Sequence, residues 1–487
     1  MQLRPKLDAH TALANMAEIE PCYGPQEARV EAERCLYCFD APCIHACPTG
    51  IDVPAFIKRI ALGNTVGAAR TILTANVLGA SCARVCPTEV LCEGACVLLD
   101  RDQKPIKIGR LQRFATDHVY DRGIRVLSAS AQKTGKRVAL IGAGPASLSC
   151  AAELARLGHS AVIFERSPRA GGLNTYGIAY YKMTPAVSLA EVALVASLGV
   201  EIRTGVDVGN DVTIETLERE FDALFVGVGL GSTQRLGIPG EGLPEVVEAL
   251  AFIRELHIRP LHEIPIGARV AVIGCGNTAI DAVTQARRLG ATTATIVYRR
   301  GPAEMSAYAF EYELAKREAC EFVFHATPVE ILARDGHVVG LKLARTAASD
   351  DGGLRVVPNS EFTLECDLVI KALGQEKQRA WLARHLPGVE LDSNGAVVRD
   401  FATGRTSRAR VFAGGDVANG GSEVVDAVAD GKRAARGIHA SLTGAAIAGP
   451  VQTTRHGVAG SPRDAGLASS TRVGELERQY HDKARHG

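Results

Sequence analysis

Residues 137–165, RVALIGAGPASLSCAAELARLGHSAVIFE, carry the pattern that decides the fold. A β-branched run leads into a glycine turn, an alanine-rich helix, a second apolar run and an acid, which is the alternation of a parallel α/β unit. In the turn Gly142-Ala143-Gly144-Pro145-Ala146-Ser147, Gly142 permits the tight bend and Gly144 lets backbone approach a pyrophosphate. The helix that follows offers N–H groups and its positive dipole end to the same phosphates. Ser147 stands where the third fingerprint glycine would, a change its small volume tolerates. Glu165, roughly 20 residues on, ends the second strand where it can accept hydrogen bonds from a ribose. Strand, turn, helix, strand and acid in register predict a dinucleotide site.

The same grammar restarts at RVAVIGCGNTAID, residues 269–281, so the chain is expected to hold two nucleotide-binding units. Here the turn is Gly274-Cys275-Gly276-Asn277-Thr278-Ala279, whose alanine-type third position suits a nicotinamide dinucleotide. The next strand, Ala294 to Tyr298, ends in Arg299 and Arg300 where an acid would face a ribose. A base there suits a 2′-phosphate, although arginine also stacks on an adenine face. Gly374 is assigned to the same site. Cys275 has no C-x-x-C partner and is read as redox-inert.

Two further segments select the dinucleotide of the first unit. Gly171-Gly172-Leu173 and Val411-Phe412-Ala413-Gly414-Gly415-Asp416 are similar to the short segments that flavin disulfide-reductase folds bring to one FAD. Asp416 would hold the ribityl chain, and a helix start near Glu423 to Ala427 would face the flavin ring. Arg166 and Lys182 complete the expected FAD set.

Ahead of both units, eight cysteines fall into two runs. The first is C-x2-C-x4-C-x3-C-P at Cys35, Cys38, Cys43 and Cys47; the second is C-x3-C-P-x4-C-x3-C at Cys82, Cys86, Cys92 and Cys96. Thiolates this dense bind a soft metal or cluster, and cysteine before proline is an iron-sulfur habit. Zinc held by four thiolates is the other reading. Cys22, Cys150, Cys320 and Cys366 are expected to be packed, inert thiols.

The whole chain has 487 residues and a formal charge of +1, which gives no field for nucleic acid or an anionic membrane. The charged N-terminus lacks a signal h-region and no apolar run is long enough to span a bilayer, so a cytoplasmic protein is expected. Residues 1–130 read as a helical domain, with helices over Glu27 to Arg34 and Val53 to Ile72, the latter broken near Gly63-Asn64. Residues 131–240 with 376–443 read as a discontinuous FAD domain joined through a linker, Ser128 to Gly135. Residues 241–375 read as the NAD(P) domain and 444–487 as a flexible tail.

With CLYCFDAPCIHACPTGIDVPAFI and LGASCARVCPTEVLCEGACVL beside the GAGPASLSC turn, the chain resembles the N-terminal half of the dihydropyrimidine dehydrogenase family over roughly residues 25 to 442. The resemblance implies FAD, two 4Fe-4S clusters and NADH as donor. Cluster ligands carried over by position are Cys35, Cys38, Cys43 and Cys96, and then Cys47, Cys86, Cys92 and Gln112, with Cys82 as the alternative fourth ligand. In the segment YRRGPAEMSAYAFEYE, Glu304 and Ser306 stand near where NADPH-using relatives place a further arginine, which favours NADH over NADPH. Hydride would pass from nicotinamide to flavin and electrons would leave through the clusters to an FMN-containing partner that reduces uracil or thymine, in a heterotetramer. No catalytic residue for pyrimidine reduction is expected on this chain. The related glutamate synthase small subunit, NADPH-dependent, shares the architecture and is the alternative; a flavin and iron-sulfur scaffold without turnover is a third reading.

Overall fold

In the computed structural model, which describes residues 3–101, 103–349 and 353–445, each strand-turn-helix stretch forms the centre of a five-stranded parallel sheet. The tail expected at 444–487 lies, beyond Ala445, outside the described residues. The chain divides into two compact units, one of Pro21–Thr175, Ala186–Leu230 and Lys377–Gly487, the other of Met1–Glu20, Tyr176–Pro185 and Gly231–Glu376.

In the first of these units the sheet runs Val411–Ala413, Ala223–Val226, Arg137–Ile141, Ser160–Glu165, Glu201–Thr204. Arg137 pairs with Ser160 on one side and Val138 with Ala223 on the other. The central strand is therefore where strand order reverses, and the Gly142 turn leaves from its C-terminal end, the position at which such sheets bind ligands. Val138, Ala139, Leu140 and Ile141 are all buried, because helices cover both faces of a parallel sheet. Two of those helices, Pro145–Arg156 and Val424–Thr443, lie almost in backbone contact. A Cβ built on Gly431 would lie 2.0 Å from the Ala146 carbonyl oxygen, and Ser149 Oγ donates to Val428 O at 2.7 Å.

The cysteine-bearing part of this unit is helical. Pro25–Glu33 starts with proline at its first position and the Gly24 N–H held by Glu27. Val53–Ala61 is capped by Asp52 and turns Val53, Phe56, Ile57 and Ile60 inward. Gly63 at φ +76° ends the run, and Asn64 caps the next helix, Thr65–Ala75, by accepting from Gly67 N at 2.8 Å. The break expected at Gly63-Asn64 is thus a stop signal followed by a start signal. Helices Gly79–Val85 and Ile108–Tyr120 complete the bundle, and the cysteines stand at the edge of its apolar core. Residues 128–135 run without regular structure.

The other unit has the strand order Val246–Glu248, Leu368–Lys371, Arg269–Ile273, Thr293–Val297, Glu321–Val323, again parallel. It carries an addition that the sequence reading did not contain. Ala326–Arg334, His337–Ala348, Leu354–Val356 and Phe362–Leu364 form an antiparallel sheet. The unit also takes in the start of the chain: the helix Ala9–Asn15 supplies Ala12 to its core, followed by Met16, and Asn15 exchanges hydrogen bonds with Arg288. The compact units are therefore drawn differently from the sequence boundaries, with the first 20 residues beside the second glycine turn's fold and 1–130 not a block of its own.

Replacing Gly431 by alanine is expected to cost about 1–3 kcal/mol through overpacking against Ala146 O. Thermal unfolding should show a lowered Tm; an unchanged Tm would mean that the two helices are not pressed together there.

Candidate functional site

Three glycine segments converge at the switch point of the first unit. Gly142 adopts φ +86° and a Cβ there would meet Gly227 O at 2.7 Å, while around Gly144 nothing lies within 4 Å of a Cβ position. The open space lies at the start of the helix Pro145–Arg156, for which Gly144 is the N-cap. Gly172 sits directly against the turn, its Cβ position 2.8 Å from Gly144 Cα, and Gly171 N donates to Ala143 O. Gly415 reaches the same place from the far end of the chain, its Cβ position 3.0 Å from Ala146 Cβ. GAGPAS, GGL and GGD are therefore brought together.

The surrounding side chains fit a bound dinucleotide. Glu165 holds the turn by accepting from Ala143 N and Ser167 N, both at 2.7 Å, which keeps its carboxylate beside the loop. Asn174 is buried with neither its amide nitrogen nor its oxygen hydrogen-bonded among the described residues, and Ser147 Oγ is likewise unpartnered. Such groups are costly to bury unless a ligand completes them. Asp416 is pushed up to about 6, chiefly by burial with the charge of Asp430 adding, against the hydrogen bond from Ser422 N. Arg166 is exposed at the end of its strand and Leu173 is partly exposed at the start of a short helix.

Asp430 organises this region and was not singled out from the sequence. Its carboxylate accepts from Gly415 N at 2.9 Å and is paired with Arg399 at 2.6 Å and Arg433 at 2.5 Å, all in a buried setting. Lys182, expected among the FAD residues, lies in the other compact unit. There it is paired with Asp281 at 2.6 Å and with Glu311; burial opposes its charge, but the two carboxylates outweigh that and hold the ammonium above its usual range.

In that other unit Gly274 takes φ +120° with a Cβ position 2.2 Å from Ala372 O, and Gly276 caps the helix Asn277–Arg288. Thr278 follows in the helix's first turn and Gly374 comes just after Leu368–Lys371, at the same end of the parallel sheet. Asn277 Oδ1 accepts from Tyr308 N, which ties the turn to the segment after Arg300. Ser306 belongs to that segment, with its Oγ 3.1 Å from a Cβ position on Gly276, so it faces the phosphate turn. Arg299 is exposed and Arg300 approaches Glu304 only to 3.9 Å. Cys275 is buried and its thiol is pushed up to about 11 by burial, as an inert residue requires.

Cys35, Cys38, Cys43 and Cys96 line one cavity of about 30 Å³, together with apolar neighbours such as Val53, Ile57 and Ile106. Burial pushes the Cys43 thiol well up, and the charges of Cys35, Cys96 and Cys38 add to it. A second group forms around Cys86. Its thiol is pushed well up first by a hydrogen bond with Cys82, then by burial and by the charges of Cys82, Cys47 and Cys92. Each group thus draws on both runs. Crowded, buried thiols resist ionisation until a cationic centre replaces their protons, which fits an iron-sulfur group in each place. Among the described residues no three His, Cys, Asp or Glu side chains converge as a single metal ion would need. Gln112 is buried and donates Nε2 to Gly79 O at 2.7 Å, fixing its amide plane at the head of the helix that carries Cys82.

Of the cysteines outside the runs, Cys150, Cys320 and Cys366 are buried, while Cys22 is exposed in the connection before Pro25–Glu33 and is not the packed thiol expected. No helix among the described residues is long and apolar enough to cross a membrane.

Comparison with known proteins agrees with this geometry. The family described as "Dihydroprymidine dehydrogenase domain II, 4Fe-4S cluster" matches residues 12–124, and "Pyridine nucleotide-disulphide oxidoreductase" matches residues 136–431. The glutamate synthase [NADPH] small chain of Escherichia coli is 35% identical over 454 residues, covering 89% of this chain and 95% of that one. The NADP(+)-dependent formate dehydrogenase subunit beta of Moorella thermoacetica is 35% identical over 81% of this chain and 59% of its own length. Among solved structures, Mycobacterium tuberculosis FprA in complex with NADPH superposes with a TM-score of 0.52 at 21% identity, over 63% of this chain and 84% of that one. The T. acidophilum thioredoxin reductase gives 0.50 at 23% identity, over 63% of this chain and 99% of that one. These two likenesses show the α/β fold; the two family matches make it one of pyridine nucleotide-disulphide oxidoreductase type behind a 4Fe-4S region.

Asp416 makes the flavin site sensitive to pH even without flavin. Its folded value, about 6, lies above the ordinary 3.8, so the ionised form burdens the folded state. That burden is absent below pH 3.8, grows through the window and is complete above about 6. Asp416→Asn in the flavin-free protein should therefore raise Tm relative to wild type above pH 6, with the advantage fading toward pH 3.8. An advantage independent of pH would contradict this.

Proposed function

This chain belongs to the pyridine nucleotide-disulphide oxidoreductase family with a 4Fe-4S region ahead of that fold, and on that premise we propose that it is an NADPH-oxidising electron-input subunit whose acceptor is a glutamate-synthase-type large subunit. The observation that carries the reading is the convergence of Gly142–Ser147, Gly171–Leu173 and Gly414–Asp416 in the same compact unit as the eight clustered cysteines. When bound, FAD accepts a hydride and 4Fe-4S clusters carry electrons one at a time, so the pair converts two-electron to one-electron chemistry.

The chain's own residues have distinct tasks. Gly142, Gly144 and the helix start behind Pro145 hold the pyrophosphate of FAD, Glu165 its ribose and Asp416 its ribityl chain, with Asn174 completing the cradle. Gly274, Gly276, Asn277 and Thr278 hold the nicotinamide dinucleotide. Arg299, which is exposed, and Arg300, whose one ion pair among the described residues is a 3.9 Å approach to Glu304, are both available to a 2′-phosphate; the arginine fork suits that group. Ser306 faces Gly276 and so weighs less against NADPH than its place in the sequence suggests. The NADPH reading also follows the names of the glutamate synthase relatives. One cluster takes Cys35, Cys38, Cys43 and Cys96. The other takes Cys47, Cys86, Cys92 and the Gln112 carbonyl oxygen, which the bond from Nε2 to Gly79 O leaves as the amide's ligating atom.

A second reading, a pyrimidine-reducing FMN subunit as acceptor with NADH as donor, is favoured by the match of residues 12–124 to dihydropyrimidine dehydrogenase domain II. Copurification with the genomic neighbour separates the two. The first predicts NADPH oxidation that depends on glutamine and 2-oxoglutarate; NADH oxidation that depends on uracil or thymine would replace it with the second. Iron content tests the ligand set. Cys82→Ser should keep the wild-type iron content, whereas Gln112→Leu should lose about half of it if the two clusters are alike. The reverse pattern would make Cys82 the ligand.

A further inference from the structure

Lined by none of the clustered cysteines, though Gly50 N donates to Cys47 O at its edge, a cleft of about 560 Å³ lies in the unit of Pro21–Thr175, Ala186–Leu230 and Lys377–Gly487. It runs along one face of Thr65–Ala75 and is closed on the other side by Pro145–Arg156 and Val424–Thr443. Neither the Gly142 turn, nor Gly171–Leu173, nor Gly414–Asp416 lines it. Its charge is one-sided. Arg59, Arg70, Arg156, Lys432 and Arg436 line the cleft against two carboxylates, Asp52 and Glu153, a formal balance of five minus two, or +3.

Both carboxylates are already in use. Asp52 caps Val53–Ala61 through Ala55 N, and Glu153 accepts from Arg156 at 3.1 Å and Arg436 at 3.0 Å. Arg59 reaches only the carbonyl of Ala55, and Arg70 meets no carboxylate among the described residues. Lys432 is buried and donates to Thr74 O and Ala75 O at the end of the helix. Burial first, and then Arg436 and Arg156 against the pull of Glu153 and of Cys47, bring it down to about 8, so its charge is held at a cost that an anion would relieve.

We propose that this cleft is a binding site for a small polyanion carrying at least two phosphate or carboxylate groups. The volume is in the range of small-molecule sites, roughly 300–1,000 Å³. Guanidinium forks on two walls suit planar or tetrahedral oxyanions, and a buried ammonium at the floor supplies a fixed charge. A polyanion spanning Arg59 and Arg70 on one wall and Arg436 on the other would also tie the cysteine-bearing helices to the flavin fold within this unit.

Calorimetric titration of the holoprotein with inorganic pyrophosphate and, separately, with citrate tests the site, using sodium chloride at matched ionic strength as the control. Saturable binding of either anion is expected, at one site per chain; tighter pyrophosphate would identify a phosphorylated ligand and tighter citrate a polycarboxylate. Arg70→Ser, an exposed position, and the pair Arg59→Ser with Arg70→Ser should weaken it by about tenfold or more, the scale of one lost charge-assisted hydrogen bond. Flavin absorbance and iron content, which these side chains do not serve, should stay as in wild type and show that the variants are folded. No saturable heat above the chloride control, or equal affinity in wild type and folded variants, would overturn the proposal.

Discussion

The approach of Gly431 to the Ala146 carbonyl is the constraint from which the flavin-side geometry follows. Because only a glycine can stand there, the helix Val424–Thr443 lies flush against the helix that begins at the phosphate turn. Its neighbouring residues are thereby fixed. Asp430 is carried to Gly415 N and set between Arg399 and Arg433, and Lys432 is carried to the carbonyls of Thr74 and Ala75. One helix thus positions the downstream GGD at the flavin turn and holds the end of a cysteine-domain helix. The energetic stakes at Asp430 are large, since removing one member of a buried ion network leaves the other charges unpaired, typically about 3–5 kcal/mol.

A second fastening lies at Glu191. This buried carboxylate accepts from Ala80 N, Ser81 N and the Ser81 hydroxyl, at the head of the short helix that bears Cys82. Burial pushes it up to about 7, with the Ser81 and Ala80 hydrogen bonds opposing. The cysteine region is accordingly bound to the flavin fold by polar groups on backbone amides and carbonyls, beside its apolar contacts. Under the proposed function, such fastening would keep a fixed path between a flavin and the clusters in this unit.

Much of this was legible in the sequence, for local reasons. The strands at 137–141 and 269–273, the glycine turns behind them and the break at Gly63-Asn64 depend on residues close together in the chain. The crossing of the cysteine runs was implied by the family resemblance and not by spacing; in the structure Cys96 lines a cavity with the first-run thiols Cys35, Cys38 and Cys43, and Cys47 acts on Cys86 together with Cys82 and Cys92. What escaped depends on distant partners. Asp430 reads as one more acid in a charged helix until Arg399 and Gly415 are placed around it. Asn174 looks like an ordinary polar residue until its burial is known, and Lys182 follows the GGL segment in sequence while its carboxylate partners stand on helices about 100 and 130 residues further on. The antiparallel strands at 326–364 have mixed burial along their length and so weak alternation to read.

The central claim is that one chain couples a nicotinamide-reducible flavin to two clusters. An anaerobic titration of the purified chain with NADPH, followed by reoxidation with a one-electron acceptor, measures it most directly. The account predicts a capacity of about four electron equivalents per chain, two at the flavin and one at each cluster. A chain that takes up only the flavin's two, with its iron-sulfur absorbance unchanged and a strong chemical reductant needed to bleach the rest, would contradict it.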